Sequence, residues 1–424
     1  MPDPPSRTKS LARAAFYYPN FRWYMAARFL VTISSEMQSV AVAWQIYGIT
    51  HRPLDLGLVG LAQFLPGILL FLLAGHAADR YARQRILRAC YGSFSICSGL
   101  LLVFTLYRVS SPYPIYLALL WNGTVRAFNG PASQAFLPLL VSREHFPNAV
   151  AWGSSIFQTA TIVGPVLGGV LYGVTGSPVI VYASAGVAYL FSLLLMFQLK
   201  IVTAERPPKA PSPAIVFEGL RFIWSDKLIL GAISLDLFAV LLGGAVALLP
   251  VYAREILHAG ASGLGLLRSA PGLGAVVMAI AVAYWPLKRH EGKAMLACVA
   301  AFGIFTIVFG LSRHMTLSLV ALVLLGASDM ISVIVRHTLI QLGTPDEMRG
   351  RVSAVNMVFI GASNEVGQFE SGLTAQWFGT VPAVVLGGMA TIVVVALWSW
   401  WFPTLRDADQ FEQEPEAVLD PDHP

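Results

Sequence analysis

Residues 56–107 read LGLVGLAQFLPGILLFLLAGHAADRYARQRILRACYGSFSICSGLLLVFTLY, in which two apolar runs, 56–77 and 86–107, flank a short polar stretch holding Asp79, Arg80, Arg83 and Arg85. Each run has about the 20 residues that a helix needs to cross a bilayer. A strand of an outer-membrane barrel would instead alternate polar and apolar residues over about ten positions. These runs are continuous, so the unit is a helix, a cationic loop and a second helix.

The same unit recurs outward in both directions. Runs near 21–47, 115–140, 149–174 and 179–199 complete a first set of six, and runs near 228–252, 263–285, 294–311, 316–342, 352–377 and 381–402 form a second. The expected fold is therefore all-α and integral to the membrane, with twelve transmembrane helices in two six-helix halves. Of the 424 residues 56% are hydrophobic and 12% charged, with mean hydropathy +0.66, against about a quarter charged in an average soluble protein. That composition excludes a soluble enzyme. The net charge of +5 is scattered over short loops and builds no basic face for nucleic acid. Cys90, Cys97 and Cys298 sit inside apolar runs without metal-type spacing, so no disulfide, metal or cofactor is expected.

Three polar segments divide the chain. Residues 1–20, with Pro4 and Pro5, form an N-terminal lead-in, and 21–199 the first bundle. Residues 200–227 are a linker with Pro207, Pro208, Pro211 and Pro213, followed by an amphipathic piece at 215–224 expected to lie on the membrane surface. Residues 228–402 form the second bundle and 403–424 an acidic tail. Orientation follows from the 28 lysines and arginines: Arg52, Arg108, Arg254 and Arg313 fall on one side, Arg28, Arg126, Arg268 and Arg336 within runs, and all others on the side of the termini. The positive-inside rule then places both termini in the cytoplasm.

A shift of 203 residues lays Arg143 and Glu144 over Asp346 and Glu347, Ala151 over Ala354, Val163 and Gly164 over Val366 and Gly367, and Gly169 over Gly372. Two bundles repeated in one orientation are the plan of transporters whose halves rock about a site at mid-membrane.

Specific motifs carry a resemblance. Gly75-His-Ala-Ala-Asp79-Arg80-Tyr-Ala-Arg83-Gln-Arg85 resembles the G-x-x-x-D-R-x-x-R-x-R signature of the major facilitator superfamily. Glycine would let the second helix pack closely, and Asp79 could pair with basic side chains or a helix N-terminus, forming a charged latch that closes and releases. Gly164-Pro165-Val-Leu-Gly168-Gly169 is similar to the superfamily's antiporter motif, and Pro165 removes a backbone donor from a helix that its glycines allow to approach others. The second half departs from both: the loop 286–290 lacks the acid, and Gln368 stands where Pro165 aligns. Residues 41–47, 131–138 and 346–352 resemble the branch that contains the enterobactin exporter and the macrolide efflux proteins.

Charges at bilayer depth cost at least about 2.5 kcal/mol each, so they face an interior cavity and are functional candidates. Glu36, Arg126, Asp236, Asp329 and Arg336 lie in runs 1, 4, 7 and 10, which line the cavity in the resembled fold, and Glu365 and Glu370 lie in run 11. Asp329 and Arg336 are seven apart and share a helix face. The offset also lays Arg126 over Asp329, which could face one another across the cavity. A carboxyl such as Glu36 or Asp329 left without a cation can carry a proton. The resemblance implies a proton-linked exporter of an amphiphilic small molecule, a siderophore or drug, in the bacterial cytoplasmic membrane, working as a monomer. An importer or facilitator of the same fold, and a transport-inactive receptor, stay open. No Walker-type phosphate loop, G-x-S-x-G or H-E-x-x-H is present.

Overall fold

The structure is a computed structural model, and it describes residues 13–199, 213–286 and 290–408. The first twelve residues, the three prolines from Pro207 to Pro211, the loop cations Lys288 and Arg289, and the acidic tail from Asp409 onward lie outside the described residues.

Among the described residues there is no strand. The first bundle is built from α1 (Pro19–Thr50), α2 (Pro53–Leu69), α3 (Phe71–Arg80), α4 (Arg83–Leu106), α5 (Tyr113–Phe136), α6 (Phe146–Thr175) and α7 (Val179–Phe197). Then come α8 (Pro213–Ser225), α9 (Lys227–Leu242), α10 (Gly260–Tyr284), α11 (Glu291–Leu311), α12 (Met315–Gly343), α13 (Asp346–Phe378) and α14 (Thr380–Trp401). α2 and α3, parted only at Leu70, continue one another through the Leu70-to-Pro66 and Ala74-to-Leu70 backbone bonds, and short turns set the successive spans of each bundle antiparallel. One end of the bundle carries the segments Ala14–Tyr17 and Pro403–Arg406; the far end carries the turns at 51–52, 176–178, 257–259 and Gly379.

Among the described residues, eight helical segments are long and apolar enough to cross a membrane: α4, Arg143–Thr175, α7, Lys227–Ile256, α10, α11, α12 and α14. The long helices outside that set, α1, α2, α5 and α13, carry Glu36, Gln63, Arg126 and Glu365. α2 is apolar and falls outside that set only by its 17-residue length, whereas the polarity of α1, α5 and α13 suits contact with other protein or a wet cavity rather than lipid alone.

The α1–α7 bundle has its own apolar cores, one around Tyr24, Tyr91, Phe136 and Tyr189, the other around Ile46, Leu101, Ile115 and Tyr182. The α9–α14 bundle has a core around Ala232, Leu296, Leu339 and Trp398. A further core joins the bundles: Val40 of α1 packs among Leu248, Tyr252, Leu264 and Ala375. Tyr47 and Leu56 pack with Val251 beside it. Between the bundles the main helix pairs are α6 with α10 and α2 with α13.

One segment differs from the sequence reading. The run expected at 228–252 is broken: α9 stops at Leu242, residues Gly243 and Gly244 are not helical, and the chain resumes as tight turns with a π-helical segment at Tyr252–Ile256. The glycine doublet supplies the freedom the break needs. The amphipathic piece is helix α8, and it packs against the first turns of α13. A Cβ on Gly219 would meet the Arg351 carbonyl oxygen at 2.9 Å, Ile223 is fully buried against Val352 and Val355, and Arg351 pairs with Glu218. It is a docked element of the second bundle.

Candidate functional site

Glycine placement sets how closely the halves meet. On α6 the antiporter-like residues Gly164, Pro165, Gly168 and Gly169 are all buried. A Cβ on Gly164 would meet Glu36 Cβ at 2.6 Å, and one on Gly168 would meet the Met37 carbonyl oxygen at 2.7 Å, so this face lies on α1. Gly169 faces α10: its Cβ would meet the Ala261 carbonyl oxygen at 2.6 Å, and a Cβ on Gly265 would meet the Pro165 carbonyl oxygen at 2.4 Å. Ser269 donates to the Ile162 carbonyl at 2.7 Å across the same seam. The motif thus serves two interfaces, one inside the first bundle and one between bundles. The second seam, α2 on α13, is as close: a Cβ on Gly57 would meet Phe369 Cα at 2.9 Å, and Gly372 closes on Pro53 and Gly57.

At the far end a clasp spans the halves. The Tyr47 hydroxyl donates to the Glu255 carboxylate. Arg254 lies over the Trp44 ring at 5.4 Å, and its guanidinium rests where a Cβ of Gly48 would stand, 2.9 Å away. Tyr47, Arg254 and Glu255 were not candidates from sequence; the short polar cluster after run 7 was their only signal.

At mid-height the structure gathers several predicted residues into one polar cluster. Arg126, exposed on α5, donates to the Gln63 side-chain oxygen at 3.1 Å. Gln368 donates to Glu365 at 3.3 Å, and Glu365 lies within the electrostatic reach of both Arg126 and Arg268. A Cβ on Gly60 would meet that carboxylate at 3.0 Å and Gln368 at 3.2 Å, so α2 approaches α13 closely enough to cover the acid. Arg126 therefore lies near Glu365, and its side-chain hydrogen-bond partner is Gln63 rather than Asp329. Arg268 was legible as a charge within a run but was not placed in the cavity, because its run is not one of 1, 4, 7 and 10, and Gln63, being uncharged, gave no signal in the sequence.

Asp236 and Arg336, expected on the cavity, instead form an ion pair with each other between α9 and α12, with both side chains buried. The face shared by Asp329 and Arg336 does hold. Seven residues before Arg336, Asp329 reaches the α9 break, seven residues after Asp236. Asp329 lines a cavity of about 300 Å³ with Gly243, Gly244, Asn364 and Gln368. It makes no hydrogen bond or ion pair with any described residue. Glu36 is half-buried against α6 and likewise has no hydrogen-bond or ion-pair partner among the described residues. Glu370 accepts from Thr374 at 2.6 Å.

The loop motif is less closely packed than expected. A Cβ on Gly75 would find nothing within 4 Å, so close helix packing at this glycine is absent in this arrangement. The side chain of Asp79 lies outside the described residues. Arg80 sits over Tyr81 at 5.8 Å, Arg85 is exposed, and Arg83 is half-buried with its Nε unpartnered among the described residues. The basic stretch also holds the first bundle together, since Arg88 donates to the Met196 carbonyl at 2.9 Å, and Gln84 to those of Met196 and Leu199, closing the C-terminal end of α7.

Comparisons with known proteins bear on this geometry. The family model described as "Transmembrane secretion effector" matches residues 10–423. Among curated proteins, the enterobactin exporter of Citrobacter koseri is 28% identical over 401 residues, covering 94% of both chains. That of Salmonella choleraesuis is 29% identical over 350 residues, covering 80% of this chain and 81% of its own. Among solved structures, the nucleoside transporter NupG superposes with a TM-score of 0.66 at 14% identity, over 91% of this chain and 99% of that one. A POT family transporter in complex with 5-aminolevulinic acid gives 0.70 at 10% identity, over 92% and 97%.

Proposed function

We propose, from the premise that this chain belongs to the transmembrane secretion effector family of major facilitator transporters, that it exports an amphiphilic small molecule of the siderophore class in exchange for protons. The fold and family establish a multi-pass membrane transporter; substrate, direction and coupling are the proposal. Twelve spans with both termini in the cytoplasm fit the helix order and the positive-inside count. On that reading the protein is a monomer of the bacterial cytoplasmic membrane, and the clasped end of the bundle faces outward.

The observation that carries the mechanism is the mid-height cluster joining the halves. Arg126 and Gln63 belong to the first half, and Glu365, Gln368 and Arg268 to the second. A carboxylate shared between two rigid bodies changes its surroundings whenever those bodies rock, and its proton affinity must change with them. Glu365 takes a proton in one arrangement and releases it in the other, while substrate occupies the adjoining cavity. Glu36, against the hinge-like glycines of α6, and Asp329 are the second and third proton carriers. The loop of Gly75, Asp79, Arg80, Arg83 and Arg85 is the latch of the cytoplasmic end. The names of the curated relatives support the siderophore class.

The test is proton movement in sealed proteoliposomes after adding a panel of siderophores and amphiphilic drugs. Substrate-dependent proton flux that Glu365→Gln, Glu36→Gln or Asp329→Asn abolishes supports the exchange. Substrate flux with no proton movement, unchanged in all three variants, overturns it.

A further inference from the structure

The break in α9 and the unpaired carboxylate opposite it form a pocket that borders the Arg126–Glu365 cluster and shares Gln368 with it. Its walls come only from the second bundle. Phe302, Leu322 and Leu325 are apolar, and Gly243, Gly272 and Gly326 leave the space open. Its side-chain polar groups are the Asp329 carboxylate and the amides of Asn364 and Gln368. The Asp329 carboxylate has no ion-pair partner among the described residues, unlike Asp236, which Arg336 neutralises. The Val240 carbonyl has lost its partner four residues on, because Gly244 donates no backbone hydrogen bond among the described residues. That oxygen faces α13, 3.0 Å from where a Cβ of Gly367 would stand, and Asn364 and Gln368 of the same helix line the cavity. The negative end of the α9 dipole points the same way.

The Asp329 carboxylate and the C-terminal end of α9 make one negative wall, and a carboxylate at this depth is costly until a cation meets it. About 300 Å³ is far more than a bare metal ion fills, and the remaining surface is apolar with one aromatic ring. We infer that this pocket binds the protonated amine of a small arylalkyl ammonium compound, with the ammonium on Asp329 and the apolar body against Phe302 and Leu325. Phe302 adds cation–π attraction. The inference rests on the reading of the chain as a transporter but on neither its direction nor its coupling.

The experiment is equilibrium binding to the full chain in nanodiscs, using 2-phenylethylammonium and its neutral counterpart of the same shape, 2-phenylethanol. The wild type binds the ammonium at least about tenfold more tightly, as a charge-assisted contact supplies. Asp329→Asn brings the two ligands to within about twofold while leaving alcohol binding intact. Phe302→Leu weakens the ammonium several-fold more than the alcohol, and it keeps the test available if the Asp329 variant does not fold. Glu144→Gln, at an exposed position before α6 and outside the pocket, leaves the preference unchanged. Equal binding of the two ligands to the wild type, or a preference that survives Asp329→Asn, overturns the inference. Siderophore-driven proton flux in the same preparation is scored separately, so its loss with ammonium binding retained counts against the exporter reading alone.

Discussion

Tyr47, near the end of α1, donates its hydroxyl hydrogen to Glu255 in the π-helical turn of the opposite half. Both halves are thus tied at the far end of the bundle, where Arg254 also crosses to Trp44 and Gly48. π-helical turns often mark functional positions, and this one places two consecutive charged side chains on the partner bundle.

Tyr47→Phe removes the hydrogen bond and keeps the ring packing. The far end should open more often, by several-fold for a loss of about 1 kcal/mol. Labelling rates of a cysteine placed at Leu56, buried beside Tyr47, would read it out. A rate equal to that in the Tyr47-containing parent argues against the clasp.

Gly265→Ala puts a methyl 2.4 Å from the Pro165 carbonyl oxygen. Overpacking of this kind costs about 1–3 kcal/mol, so the melting temperature should fall and transport should drop. Gly75→Ala meets nothing within 4 Å and should leave the melting temperature unchanged or slightly raised, since alanine is the better helix former. A thermal-shift comparison of the two variants in detergent separates them.

Asp236 and Arg336 form a buried pair, and breaking such a pair from one side costs about 3–5 kcal/mol. Asp236→Asn and Arg336→Met should each destabilise the protein strongly, while the double variant recovers much of the loss. Unfolding in a denaturant series gives the double-mutant cycle. Additive losses would show that the ions do not act as a pair.

Helix α8 is held to α13 by burial more than by charge. Glu218→Ala breaks an ion pair with two exposed partners, where a change under about 1 kcal/mol is expected. Ile223→Asp, at a fully buried position, should release α8 and raise its cleavage by trypsin at Arg221.

Arg126→Gln should lower transport of an anionic siderophore far more than Gln63→Ala does, because only the first removes the cation beside Glu365. Initial uptake rates into inverted vesicles measure this, and equal losses would assign Arg126 a packing role.

Helical class and family are legible along the chain alone, because each rests on local quantities: run length, residue charge and motif spacing. The common face of Asp329 and Arg336 is legible in the same way, since helical periodicity fixes it without knowledge of neighbours. Which charges meet emerges only in the folded bundles. Asp236 and Arg336 neutralise each other, Arg126 turns to Gln63 and Glu365, and Asp329 is left without a partner among the described residues, all through distances between helices far apart in the chain. The break at Gly243 and Gly244 was signalled by a glycine doublet, but such a pair can as readily serve close packing, as Gly168 and Gly169 do against α1 and α10. The same residue type takes different roles because what stands opposite it is set by the packing of whole helices, and that packing is a property of the assembled bundles rather than of any local stretch.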